Sequence, residues 1–436
     1  MFLQNAIEKR IDDDNSVKVA LIGAGKFGSM FLSQVPSTKG IEVLVIADLK
    51  PDNAIKACKN VGWSDDLINK TKFVDTGADA IKLNEVEVVI EATGFPAAGI
   101  EHARQAFQNG KHIIMVNVEA DVLAGAALAK EANSVGVVYS MAYGDQPALT
   151  AEIVEWARAS GFNVTSAGKG TRYQPIYHKS SPDTVWDYYG LTHEEARKAG
   201  MNPKMFNSFL DGTKSGLEMA AIANACDLEV PTNGLLFPPC GMDDLANILK
   251  PLEFGGLLEK NGQVEVVSSL ERDGRPVFKD LRWGVYAVLE APNDYAASCF
   301  KQYGMNTDDT GKYSAMYKPF HLIGMELNIS VFSAALLNQA TGQTKKFTGD
   351  VVSTTKKNLK KSEILDGEGG ATVWGKLIPS KLSLSMEALP IGLAHGIKLK
   401  NEIEENKIIT WNDVDFSSND PAISYRRKME KDFKKS

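Results

Sequence analysis

Cysteine is scarce. The 436 residues contain four (Cys58, Cys226, Cys240 and Cys299), far apart, with no Cys-x-x-Cys pair and no neighbouring histidine. That spacing excludes a disulfide framework and a zinc site, and it predicts reduced, mostly buried thiols in a cytosolic protein. Long apolar runs are missing as well: no stretch reaches the ~18 uninterrupted apolar residues of a membrane span. The N-terminal MFLQNAIEKRIDDDNS is acidic and lacks the apolar core of a secretory signal, so the chain is expected to stay in the cytoplasm. Positive charge is not in excess either. Lys and Arg number 48 against 55 Asp and Glu, a net charge of −7, and the basic residues are dispersed, which argues against nucleic acid or an anionic membrane as partner. The nearest thing to a basic tail, the terminal YRRKMEKDFKKS, reads as a solvated helix.

What is present is a patterned globular chain, 44% hydrophobic and 24% charged, too long for one ordinary domain. From Val17 to about Tyr143, Val- and Ile-rich runs (VKVALIG, IEVLVIAD, VEVVIEATG, KHIIMVNV) alternate with helical patterns. This alternation predicts βαβ units and a parallel sheet buried on both faces, hence an α/β fold with a Rossmann-type domain over residues 1–150. Residues 151–343 mix helical patterns such as KSGLEMAAIANAC with Pro- and Gly-rich loops and strand-like runs, WGVYAVLEA and MELNISVFSAAL. They predict an α+β substrate domain. Residues 344–436, with short strands and Gly turns, predict a small β-rich domain.

Gly23, Gly25 and Gly28 form G-x-G-x-x-G directly after the first strand and at the start of a helix. In that setting the glycines allow a tight turn, close approach of a pyrophosphate and close helix–strand packing, and Lys26 and Phe27 belong to the same cradle. Asp48, at the end of the second strand, suits the ribose hydroxyls and repels a 2′-phosphate, which favours NAD over NADP; Lys50 softens that preference. EATGFP brings Thr93 and Gly94 to the ligand rim, and VNVEAD brings Asn117, Glu119 and Asp121 there, although Asp121 equally suits a helix cap.

Hydride transfer between a carbinol and a nicotinamide needs a group that polarises oxygen and moves its proton, and a desolvated lysine does both. Lys169, between glycines in SAGKGTRYQP, sits in a loop-like setting with Arg172 nearby to grip a phosphate or carboxylate. Lys214, in LDGTKSGLEMA, follows Asp211 and stands four positions before Glu218, on one helical face; the plain alternative is a surface ion pair. Lys318 and His321, in MYKPFHLIGMEL, carry a weaker signal. YHKSSPDTVWDYYG, with His178 among aromatics, fits either a substrate lid or a buried structural loop. Convergence of Glu119, Asp121, Asp211 and Glu218 on Mg²⁺ or Mn²⁺ is a further alternative, but no short ligand motif supports a metal.

These segments in order, VALIGAGKFGSMFLSQV, EATGFPAAG, KHIIMVNVEADVLAG, SAGKGT, LDGTKSGLEMAAIANA and YKPFHLIGMEL, resemble the homoserine-dehydrogenase-like oxidoreductases with a C-terminal SAF domain. LKKSEILDGEGGATVWGKL, ALPIGLAHGIKLKNEI and IITWNDVDF resemble the SAF part. The resemblance spans nearly the whole chain. It implies a Rossmann domain, a catalytic insertion and a β-clip-like SAF domain at a subunit interface or lid, hence a homo-oligomer. Relatives include 1-deoxy-D-xylulose 5-phosphate reductoisomerase-like proteins, which rearrange and reduce a sugar phosphate with NADPH. Where homoserine dehydrogenases usually carry Asn-Lys, this chain has Asn117-Val118.

The expected activity is NAD(P)-dependent hydride transfer to or from a small polar hydroxy or oxo substrate, phosphorylated or not. Lys214 or Lys169 would carry the proton, Asp211 and Glu218 would orient it, and Glu119, Arg172, His178 and His321 would contact substrate. A reductoisomerase acting on a sugar phosphate is the alternative within enzymes. A non-catalytic NAD(P) or sugar sensor is the alternative outside them.

Overall fold

The computed structural model describes residues 3–434, and these group into two compact units. One holds the chain up to Glu152 together with His321–Lys345; the other holds Ile153–Phe320 and the chain from Lys346 onward.

In the first unit, β1 (Val17–Ile22), β2 (Ile41–Ala47), β3 (Lys72–Val74), β4 (Val88–Glu91), β5 (His112–Met115) and β6 (Tyr139–Met141) form one sheet. Its order is β3-β2-β1-β4-β5-β6 and every pairing is parallel. The strands are Val- and Ile-rich because both faces are covered, and Val19, Val88, Ile90 and Ile114 are wholly buried. Pro51 and Pro96 open two of the crossover helices, where a missing N–H costs nothing. Strand order reverses between β1 and β4, which places the ligand crevice at their carboxyl ends.

MELNISVFSAAL reads as a strand but folds as the helix Asn328–Leu337. Its Val331, Phe332 and Ala334 join the core of the parallel sheet, so it is apolar on most sides. Periodicity cannot separate a short buried helix from a strand. The segment after it returns along β6, where Met141 N–H donates to the Gly342 carbonyl (2.8 Å) and Thr341 N–H to the Ser140 hydroxyl (2.9 Å).

The second unit is built on β7 (Asn163–Thr171), β8 (Gln263–Ser268), β9 (Val285–Glu290) and β10 (Tyr313–Lys318), in the order β10-β9-β7-β8. β7 pairs parallel with β8 and antiparallel with β9. The helix Thr213–Cys226 buries every residue except Lys214, because it is covered by the sheet on one side and by the hairpin of β11 (Gly349–Thr355) and β12 (Val373–Pro379) on another. Gly375 in β12 lies against its first turn and donates its N–H to Thr213 Oγ1 (2.8 Å). A second small hairpin follows, β13 (Lys398–Leu399) with β14 (Val414–Asp415).

The terminal helix, Pro421–Lys434, is not simply solvated. Arg426 within it is fully buried and pairs with Asp350 of β11 and with Glu430. The last two residues of the basic stretch and the first two of the N-terminus lie outside the described residues. Among the described residues all four cysteines are free and no helix is long and apolar enough to cross a membrane.

Candidate active site

The glycine turn sits at the strand-order reversal. Gly23 has φ +95°, and a Cβ there would lie 2.7 Å from the Ala92 carbonyl oxygen, so only glycine fits. A Cβ on Gly28 would collide with the Gly23 carbonyl oxygen, which is the close packing the third glycine permits. Gly25 differs: a Cβ there meets no atom within 4 Å. It begins the helix Lys26–Gln34, whose first turn is capped by no side chain. Open space in front of uncapped N–H groups suits a pyrophosphate. Lys26 is exposed beside this space, whereas Phe27 packs on the core beneath it.

Asp48 braces the same turn. Its carboxylate accepts from Ala24 N–H (3.2 Å) and Lys50 N–H (3.0 Å). Thr93 is fixed by the buried Glu91, which accepts from both its N–H and its hydroxyl, and Gly94 beside it adopts φ +68°. Asn117 caps the helix Val118–Val135 by accepting from Ala120 N–H (3.1 Å), and it donates to the Phe95 carbonyl (3.0 Å). That helix starts earlier than the sequence suggested. Asp121 therefore lies buried beneath the rim, accepting from Tyr139 Oη (2.8 Å) and Thr344 Oγ1 (3.0 Å), and burial pushes its carboxyl up to about 6. Glu119 and His321 are half-buried in this unit.

In the second unit Lys169 is part of a strand, not of a loop. Its flanking glycines are required because a Cβ on Gly168 would strike the Glu265 carbonyl oxygen and one on Gly170 the Leu281 carbonyl oxygen. Lys169 is 6% exposed and forms an ion pair with Glu218, which is 4% exposed. The carboxylate's partner is thus Lys169, across from the helix, and not Lys214, which is half-buried on the first turn.

Asp211 serves a different lysine. Its carboxylate is paired with Lys356 Nζ (2.7 Å) and accepts from Thr213 N–H (2.9 Å), and Lys356 also donates to the carbonyls of Ser180 and Gly370, each at 2.7 Å. His178 donates Nδ1–H to the Asp211 carbonyl (2.7 Å), and its Nε2 accepts from the Tyr173 hydroxyl (2.9 Å). Burial lowers the His178 pKa and raises that of Tyr173, so the neutral ring and the protonated phenol suit each other. The ring stacks on Trp374 with centroids 4.0 Å apart. Around His178, Tyr177 and Trp186 are buried in an aromatic cluster, the packing expected of a structural segment. Arg172 is half-buried, and its Nε has no hydrogen-bond partner among the described residues.

Glu265 escaped sequence reading. It is wholly buried in β8, and its carboxylate accepts from the N–H groups of Leu236, Phe237 and Val266. Burial nevertheless raises its pKa from 4.5 to about 7. The folded state therefore holds a proton that the unfolded state has lost between those values, and stability falls as pH rises from about 4.5 to about 7. Glu265→Gln should flatten that fall, at a scale of about 1.4 kcal/mol per tenfold change in proton affinity. Urea unfolding across this range checks it; an unchanged slope would contradict it.

Among the described residues no group of three or more His, Cys, Asp or Glu could hold a metal ion.

Residues 23–142 match the NAD-binding domain of homoserine dehydrogenase, and residues 144–327 match the catalytic domain of oxidoreductase DRL. No curated protein matches the chain at a significant level. Similar solved structures include a homoserine dehydrogenase from Thiobacillus denitrificans, 14% identical over 78% of this chain and 83% of that one, with a TM-score of 0.43. They also include a 3-ketoreductase from Actinomadura kijaniata in complex with NADP (16% identity, 37% of this chain and 50% of that one, TM-score 0.26). A third is a myo-inositol dehydrogenase from Corynebacterium glutamicum (13% identity, 39% of this chain and 48% of that one, TM-score 0.29). The chain spans about half the length of the latter two.

The parallel sheet, the uncapped glycine turn at its reversal point and the two domain matches are the make-up of a nicotinamide-dinucleotide-binding domain followed by an oxidoreductase-type catalytic domain. More narrowly, it joins a homoserine-dehydrogenase-type NAD-binding domain to a DRL-type catalytic domain. The chain from Lys346 onward lies outside both matches.

Proposed function

We propose that the protein transfers hydride between a nicotinamide cofactor and a small polar hydroxy or oxo substrate, with Lys169 as the proton-handling group. The buried Lys169–Glu218 pair within the DRL-type domain carries this reading. A bound nicotinamide supplies or accepts the hydride. In the reductive direction the Lys169 ammonium hydrogen-bonds the substrate oxygen and gives it a proton as hydride reaches carbon; in oxidation the amine takes that proton back. Glu218 holds the ammonium in place beforehand. Gly23–Gly28 cradles the pyrophosphate and Asp48 the adenosine ribose, which favours NAD over NADP. In this reading the expected segments 1–150, 151–343 and 344–436 serve cofactor, substrate and SAF-like roles in a cytoplasmic homo-oligomer, except that His321–Lys345 goes with the cofactor unit.

A second reading, reductive rearrangement of a sugar phosphate, is supported by Arg172, whose buried Nε without a partner suits an anionic group. Turnover of homoserine and of 1-deoxyxylulose 5-phosphate, each with both cofactors, separates the two. The account expects NAD to be used better than NADP, and a clear preference for NADP would remove the assignment of Asp48. Cofactor binding with no turnover of any substrate would favour a sensor.

A further inference from the structure

A cavity of about 200 Å³ opens in the second unit, lined by His178, Gly212, the helix residue Gly216, residues 233–235 with Phe237, and β12. Its volume equals that of roughly six or seven water molecules at ~30 Å³ each, room for a phosphate or a short carboxylic acid.

The chemistry of the wall is one-sided. Lys376 is the single charged side chain among the lining residues. It is half-buried, and its ammonium has no hydrogen-bond or ion-pair partner among the described residues. The charges nearby do not supply one. Asp211, next to Gly212, is already neutralised by Lys356, and the neutral His178 has both nitrogens engaged. Burial accordingly lowers the pKa of Lys376, the behaviour of a cation lacking its counter-charge. Gly234 leaves space for the lysine stem, since a Cβ there would sit 3.0 Å from Lys376 Cε. Trp374, stacked on His178, supplies a flat apolar wall.

We propose that this pocket binds the anionic end, carboxylate or phosphate, of a small molecule, with the Lys376 ammonium as counter-charge and Trp374 as apolar wall. Both residues come from β12, so the segment beyond the two domain matches contributes directly to ligand recognition. The proposal is independent of whether Lys169 moves a proton.

Titration calorimetry of the full chain with inorganic phosphate and, separately, with acetate, at matched ionic strength, tests this site. Saturable binding is expected for at least one probe, about tenfold or more weaker in Lys376→Gln and restored in Lys376→Arg. Saturation by phosphate alone assigns a phosphate ligand, and by acetate alone a carboxylate. Any phosphate bound at the glycine turn remains in Lys376→Gln and is separated by that difference. Should Lys376→Gln fail to fold, reductive methylation of the unaltered protein replaces it, read by mass spectrometry at Lys376, where the bound anion should protect. No saturable binding of either probe, binding undiminished by Lys376→Gln, or no protection would overturn the proposal.

Discussion

Replacing Lys169 by methionine is expected to lower kcat by about a hundred- to ten-thousandfold, the range for losing a positioned acid–base group. The single variant also strands Glu218 as an unpaired buried carboxylate, and breaking a buried pair in this way costs about 3–5 kcal/mol. Lys169→Met with Glu218→Gln removes both charges, so it should fold and remain inactive. Reduced-nicotinamide absorbance, with circular dichroism as the control for folding, reads both effects. A folded double variant that turns over normally would contradict the assignment. Lys214→Ala is the comparison: loss of activity there, with activity kept in the Lys169 variants, would transfer the role to Lys214.

Lys356→Met is expected to destabilise the second unit by about 3–5 kcal/mol without touching the redox groups. Its side chain is 2% exposed, neutralises a fully buried Asp211 and donates to two carbonyls. Removing it strips a buried carboxylate of its counter-charge, leaving Thr213 N–H as its donor, and leaves each carbonyl with only the Asn207 amide as donor. Adding Asp211→Asn should recover part of the loss, because the stranded charge disappears. Urea unfolding measures both; a Lys356→Met protein as stable as the parent would show that the pair does not hold the C-terminal segment to the rest of this unit.

Local signals were legible wherever the chemistry is local. The glycine spacing and the runs around β1 and β2 marked the cradle and its sheet because turn geometry and strand burial are set by adjacent residues. The place of Asp48 at the end of β2 is legible for the same reason. Flanking glycines usually mark loops, so the sequence predicts a loop at Lys169; in the strand they admit the carbonyls of neighbouring chain. Lys356 was invisible as the partner of Asp211 because 145 positions separate them. Glu265 carries no motif, and its role depends on backbone N–H groups brought to it by folding. The Asn328–Leu337 run shows the limit of periodicity, since a helix buried on most sides loses the polar face that would betray it.

Cofactor binding to the Gly25→Val variant tests the central claim most directly. A Cβ at Gly25 meets no atom within 4 Å and φ is −70°, so valine there is expected to cost about 1 kcal/mol or less, chiefly as a poorer helix cap. Its side chain would fill the space assigned to the pyrophosphate. Following NADH and NADPH fluorescence on titration with each protein, the account predicts saturable binding to the unaltered chain. It predicts binding at least tenfold weaker to Gly25→Val, at an almost unchanged melting temperature. Binding undiminished by the valine, or no binding of either cofactor to the unaltered chain, would contradict it.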